Sequence, residues 1–162
     1  MADQEEPAPL KSVNSYDPTY IAFTNKSNGN AEAWWLNFKG NPVSYGDIIP
    51  DKTLKMNTYR THPWIFRASD GAKLLANFSE IYFPTPAEYD EYGNPAYQTV
   101  YVTAPVYSLQ ENCIRLIKKM VRKEDICKLE IPQYLRQDIS RTPNLLKEIQ
   151  ILSKQRSMTD RR

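Results

Sequence analysis

The apolar residues of this chain change their spacing near residue 105, and that change confines it to a sheet followed by helices. Before the change the period is two. In Tyr20-Ile21-Ala22-Phe23, Ile21 and Phe23 share a face, and Trp34, Leu36 and Phe38 share another. Gly40-Asn41-Pro42 breaks the second run. Thr58 to Phe66 is a further extended segment, interrupted by Pro63, which predicts an edge strand or a bend. Asp70-Gly71 and Gly93-Asn94-Pro95 are turn signals, and Glu80–Phe83 and Gln98–Thr103 read as strands. Short strands at this spacing predict a sandwich or small barrel.

From Ser108 the period is helical. Leu109, Cys113, Leu116, Ile117 and Met120 form one stripe, and Ser108 with Glu111 makes a capping box. A short helix is expected around Glu124–Glu130. Pro132 opens another, carrying Leu135 and Ile139. Thr142-Pro143 starts a last one, with Leu145, Leu146, Ile149 and Leu152 on one face. The fold class is therefore α+β.

Charge divides at the same place. Net charge is +2 over 162 residues, but residues 1–105 are acidic on balance and residues 106–162 basic. Basic side chains in the helical half alternate with Glu and Asp opposite the apolar stripe, the pattern of a solvated face rather than a nucleic-acid surface. No apolar run is long enough to span a bilayer. The opening MADQEEPAPL is acidic, without the apolar run of a secretory signal, and reads as a disordered lead-in. Two cysteines, Cys113 and Cys127, make no disulfide framework, so free thiols in cytoplasm or nucleus are expected.

Catalytic machinery is sparse. His62 is the single histidine, so no clustered zinc ligands exist. There is no G-x-S-x-G elbow, phosphate loop or dinucleotide fingerprint, and no cofactor is expected. Three features stand out instead. Trp35 points away from the Trp34 face, either as a contact residue or packed under a loop. Thr58, His62 and Trp64 share parity, which brings a hydroxyl, an imidazole and a large aromatic towards one face; the alternative is a core Trp64 with His62 bonded to a backbone carbonyl. Leu109 and Cys113 head a stripe that is either ordinary core or a surface completed by a partner.

Together these residues resemble the von Hippel-Lindau family from about Leu10 to Leu152. The stretches that carry the resemblance are Ser12-Val13-Asn14-Ser15, Trp35-Leu36-Asn37-Phe38, Tyr59 through Arg67 (YRTHPWIFR), and Pro105-Val106-Tyr107-Ser108-Leu109 followed by Cys113. The resemblance implies a β-sandwich over 12–105, a helical adaptor-binding domain over 106–141, a helix over 142–155 that packs back on the sandwich, and a polar tail over 156–162. It implies a non-catalytic substrate receptor of a cullin-RING ubiquitin ligase. Elongin C, with elongin B, would dock at Ser108, Leu109, Cys113 and Leu116. A cullin with its RING-box protein would lie near Leu129 and Ile131. The substrate would be prolyl-hydroxylated hypoxia-inducible factor alpha.

Carried over position by position, the hydroxyproline pocket is Trp35, Tyr45, Thr58, His62 and Trp64, with Asn14 and Tyr59 nearby. Thr58 and His62 would bond the 4-hydroxyl, Tyr45 the peptide backbone, and the tryptophans would wall the ring. The chain departs from the family pattern at Thr58, where serine is common, at Tyr16 and Asn57, where arginine and histidine are common, and at Asn112, where a basic residue is usual. The Ala87–Asn94 loop is longer than usual. Two other functions fit the residues: a peptide-binding scaffold without a ligase link, and a hydrolase built on His62.

Overall fold

A computed structural model of the chain describes residues 9–159. Most of the expected lead-in and the end of the polar tail lie outside the described residues. The described residues form two compact units, one of residues 9–105 with 144–159, the other of residues 106–143.

Among the described residues, the first unit holds nine strands: β1 (Pro18–Asn25), β2 (Ala31–Leu36), β3 (Pro42–Ile48), β4 (Thr53–Tyr59), β5 (Trp64–Ala68), β6 (Lys73–Ala76), β7 (Glu88–Tyr89), β8 (Pro95–Ala96) and β9 (Gln98–Thr103). Seven of them form one ladder in the order β3-β2-β5-β6-β9-β1-β4, and β7-β8 is a separate hairpin. The ladder folds over on itself. Phe23 of β1 lies 5.3 Å from the Trp64 ring and 4.9 Å from the Phe66 ring of β5, centroid to centroid. Ile21, Phe23, Ala31, Ala33, Trp64, Phe66, Leu74, Val100 and Val102 form the core between the two halves. Interior positions alternate along β6 and β9, as a half-buried sheet requires, whereas Trp64–Arg67 of β5 is buried at every position.

Gln98–Thr103 is a strand as expected, and Gly71 and Gly93 take φ values of 83° and 80° in their turns. Two expectations fail. Glu80–Phe83 is no strand; Tyr82 makes a single bridge to Trp64 and the rest is loop. Phe38 does not share the Trp34/Leu36 face, because β2 ends at Leu36 and the chain turns. Asn37 accepts backbone N–H bonds from Lys39 and Asn41 through its side chain, and Gly40 takes φ 80°. A side chain beyond a turn no longer obeys the parity of the strand before it.

The same unit is completed by α3 (Leu145–Thr159). Ile149 is buried in a cluster with Leu10, Leu36 and Ile65, and Trp34, Leu145 and Leu152 pack against it. Leu146, expected on that face, is exposed. Arg67 is almost wholly buried and fixes the helix electrostatically: its Nη2 is 3.2 Å from Glu80 and its Nε 3.1 Å from Glu148 of α3. Its guanidinium fork suits two carboxylates at once.

The second unit contains α1 (Leu109–Met120), a 3-10 helix (Lys123–Lys128) and α2 (Gln133–Ser140). The capping box is formed: Ser108 Oγ accepts from the Glu111 backbone, and Glu111 accepts from the Ser108 N–H. Lys118 donates to the Arg141 carbonyl at 3.0 Å and ties α1 to the end of α2. None of the described helices is long and apolar enough to cross a membrane.

Candidate functional site

The pocket residues converge by a different route from strand parity. Thr58 is the penultimate residue of β4 and Trp64 begins β5, so they stand in different parts of the ladder with a bend at Arg60–Pro63 between them. Trp64 is 2% exposed, and its indole Nε1–H donates to Thr58 Oγ1 at 3.2 Å. That hydroxyl is buried, and after accepting the indole proton it still has its own proton to give.

His62 is also buried. Its Nε2 lies 3.1 Å from the Asn14 carbonyl oxygen. A carbonyl can only accept, so Nε2 carries the proton and Nδ1 holds the lone pair of the neutral ring. Desolvation lowers the His62 pKa from the ordinary 6.5, against the raising effect of the Asn14 bond. Ser15 Oγ is 3.4 Å from the same Nε2. With that nitrogen protonated towards Asn14, no lone pair faces Ser15, which argues against a serine–histidine nucleophile.

Aromatic rings surround His62 and Trp64. Trp35 stacks on His62 with centroids 5.2 Å apart and planes 29° from parallel. Phe38 meets both Trp35 and His62 edge-on. Tyr59 lies 5.0 Å from His62, and Tyr45 of β3 lies 5.1 Å from Trp64. Tyr45 is 44% exposed. All seven expected residues, Asn14, Trp35, Tyr45, Thr58, Tyr59, His62 and Trp64, therefore meet in one place.

The segment that orients them was only partly legible. Ser12 is buried; it donates to the Leu36 carbonyl at 2.6 Å and accepts the Trp35 indole N–H at 2.8 Å. Thr61 Oγ1 accepts from the Val13 and Asn14 backbone and donates to the Asn14 carbonyl. Residues 12–15 thus form a strap that fixes the Trp35 indole at one end and the His62 tautomer at the other. Ser12, Thr61 and Phe38 are site residues that sequence reasoning missed. The polar run Ser12-Val13-Asn14-Ser15 was the available signal.

The tryptophans divide as their parity suggests. Trp34 packs on the α3 side, and Trp35 on the pocket side. Trp34→Ala should lower stability by about 3 kcal/mol with little direct effect on the pocket. Trp35→Ala should cost less stability and more peptide affinity. Thermal melts paired with peptide titrations check this, and equal melting losses would reject it.

In the second unit the stripe is split. Ile117 is half-buried, as is Ile114, while Leu109, Cys113, Leu116 and Met120 are exposed. No residue of α1 is buried, and Leu109 is 80% exposed. Among the described residues of this unit, Ile126 and Ile139 are the buried apolar side chains. Leu129 and Ile131 are half-buried.

The family model described as the VHL beta domain matches residues 10–90, and that of the VHL box domain matches residues 107–155. The chain belongs to the VHL family. A curated relative, Protein Vhl of Drosophila melanogaster, is 24% identical over 107 residues, which cover 62% of this chain and 60% of that protein. This VHL-family chain thus spans 60% of that relative's length, less than two thirds. The pocket lies in the part matched by the beta-domain model, and the exposed face of α1 in the part matched by the box model.

Proposed function

We propose that this VHL-family chain is the non-catalytic substrate receptor of a cullin-RING ubiquitin ligase, and that its pocket reads a 4-hydroxyproline in an extended peptide. The observation that carries the reading is the direction of the hydrogen bonds. Trp64 donates to Thr58, and His62 donates to Asn14. A hydroxyl placed between them accepts the Thr58 proton and donates its own to His62 Nδ1. Every donor then meets an acceptor from Trp64 to Asn14.

Plain proline would leave the Thr58 O–H and the His62 lone pair buried and unpaired. That costs about 1–3 kcal/mol per group, so discrimination is on the order of a thousandfold. The ladder supplies the dock. β3 and β4 are its two ends, each paired on one side only, with Tyr45 on one and Thr58 on the other, both against Trp64. A peptide strand added to the β4 edge would gain backbone hydrogen bonds while its hydroxyproline points inward. The proposed substrate is prolyl-hydroxylated hypoxia-inducible factor alpha, and the setting is cytoplasm and nucleus. Elongin C with elongin B is proposed to bind Ser108, Leu109, Cys113 and Leu116, and a cullin with its RING-box protein to lie near Leu129 and Ile131. Held this way, a substrate gains effective concentration at the ubiquitin-loaded enzyme.

Titration of a hydroxylated peptide against its unmodified twin tests the pocket. Only neutral His62 offers a lone pair, so affinity for the hydroxylated form should be level from mildly alkaline pH down to about 6.5. It should fall as pH drops further, through the lowered pKa of His62. Loss of preference already above neutral pH would refute the tautomer assigned here. Co-purification with elongins B and C separates a ligase receptor from a peptide-binding scaffold without that link.

A further inference from the structure

Asn57 and Thr58 are neighbours on β4, so they point to opposite faces. Thr58 is buried in the pocket and Asn57 is exposed on the outer face. There Tyr97 donates its hydroxyl proton to Asn57 Oδ1 at 2.7 Å. The Tyr97 ring carries the Lys55 ammonium 5.2 Å from its centroid and meets Tyr20 of β1 edge-on at 5.9 Å. Tyr20 in turn meets Tyr89 of β7 at 6.3 Å. The β7-β8 hairpin and the residue after it are therefore held on the outer face of β1 and β4.

Tyr97 immediately precedes β9, which pairs with β1, so it reaches Asn57 across β1. The other side of β4 is the free edge of the ladder. With Oδ1 taken by the Tyr97 hydroxyl, the two Nδ2–H donors of the amide are what Asn57 has to offer a ligand at that edge. In an extended peptide on the edge, the residues flanking an inward hydroxyproline point outward, to the Asn57 face.

We infer that Asn57, positioned by the Tyr97 hydroxyl, reads a hydrogen-bond acceptor on the side chain next to the hydroxyproline. The favoured class is a carboxamide or carboxylate. Lys55, two positions away on the same face, adds a positive charge that disfavours a lysine there. Tyr97 is a positioning residue and Asn57 the contact. The inference rests on the pocket reading above, which supplies the peptide's register.

The test uses hydroxylated peptides carrying Gln or its near-isostere Met at either flanking position, titrated into the full chain. The wild type should prefer Gln at one of them by roughly fivefold, the value of one net hydrogen bond. Tyr97→Phe keeps the ring and removes the hydroxyl, and should bring that ratio to near one; Asn57→Ala should do the same. The hydroxyl-to-plain ratio, read in the same titrations, is the internal reference. A Gln-to-Met ratio unchanged in Tyr97→Phe, or a wild-type ratio of one at both positions beside an intact hydroxyl preference, overturns the subsite alone. Absence of hydroxyl preference in the wild type overturns the pocket and the subsite together.

Discussion

Thr58→Val should erase the preference for hydroxylated peptide, bringing a ratio on the order of a thousand to near one. The substitution preserves shape and removes the Thr58 proton assigned to the ligand hydroxyl. It also strips the acceptor from the buried Trp64 indole, so folding stability should fall by the cost of one unsatisfied donor, about 1–3 kcal/mol. Thr58→Ser restores both bonds and should restore both properties. His62→Ala should abolish the preference as well, since it removes the lone pair opposite Thr58 and the ring stacked on Trp35. Thr61 still donates to the Asn14 carbonyl in that variant, so the strap is retained. Persistence of the original ratio in either Thr58→Val or His62→Ala would mean that the hydroxyl is read elsewhere.

The second large effect is expected in the helical unit. Cys113→Asp places a carboxylate in the middle of the exposed row formed by Leu109, Leu116 and Met120. In the free chain this side chain is solvated and the substitution costs little. In a complex with elongin C the carboxylate would be buried unpaired, at a cost large enough to prevent assembly. Cys113→Asp should therefore lose elongins B and C in co-purification while the same full chain still binds hydroxylated peptide. The wild-type chain alone should be prone to aggregate and become soluble on co-expression with both elongins, because its second unit buries little beyond Ile126 and Ile139. A soluble wild-type monomer whose helical amides resist exchange without a partner would show that this unit is complete by itself.

The sequence was informative where local rules operate. The capping box at Ser108 and Glu111, the turns at Gly71 and Gly93, and the shared face of Ile21 and Phe23 all follow from nearest-neighbour chemistry. The pocket was legible from the resemblance as a set of residues, but not from parity. Thr58, His62 and Trp64 have the same sequence parity, yet they converge because the chain bends at Pro63 and the ladder closes over itself. Phe38 was misplaced for the same reason, since a turn resets the alternation. The two ion pairs of Arg67 and the Tyr97–Asn57 bond span many residues, and no local pattern announces a contact of that range.

The division of the chain into units has a consequence for its synthesis. The helical unit is inserted between the strands and the helix that completes their unit. Leu36 and Ile65 leave the ribosome with the strands, whereas their partner Ile149 emerges only after the whole helical unit has been made. At about 5–20 residues per second, that side of the sheet waits several seconds for its cover. During the same interval the Leu109–Met120 row has also emerged, and nothing within its own unit buries it. A nascent chain therefore carries two separate apolar surfaces at once. One is closed by the last stretch of the same polypeptide; on the present reading the other is closed by a different protein. Slowing translation after residue 143 would prolong the exposure of the first surface without altering a single native contact.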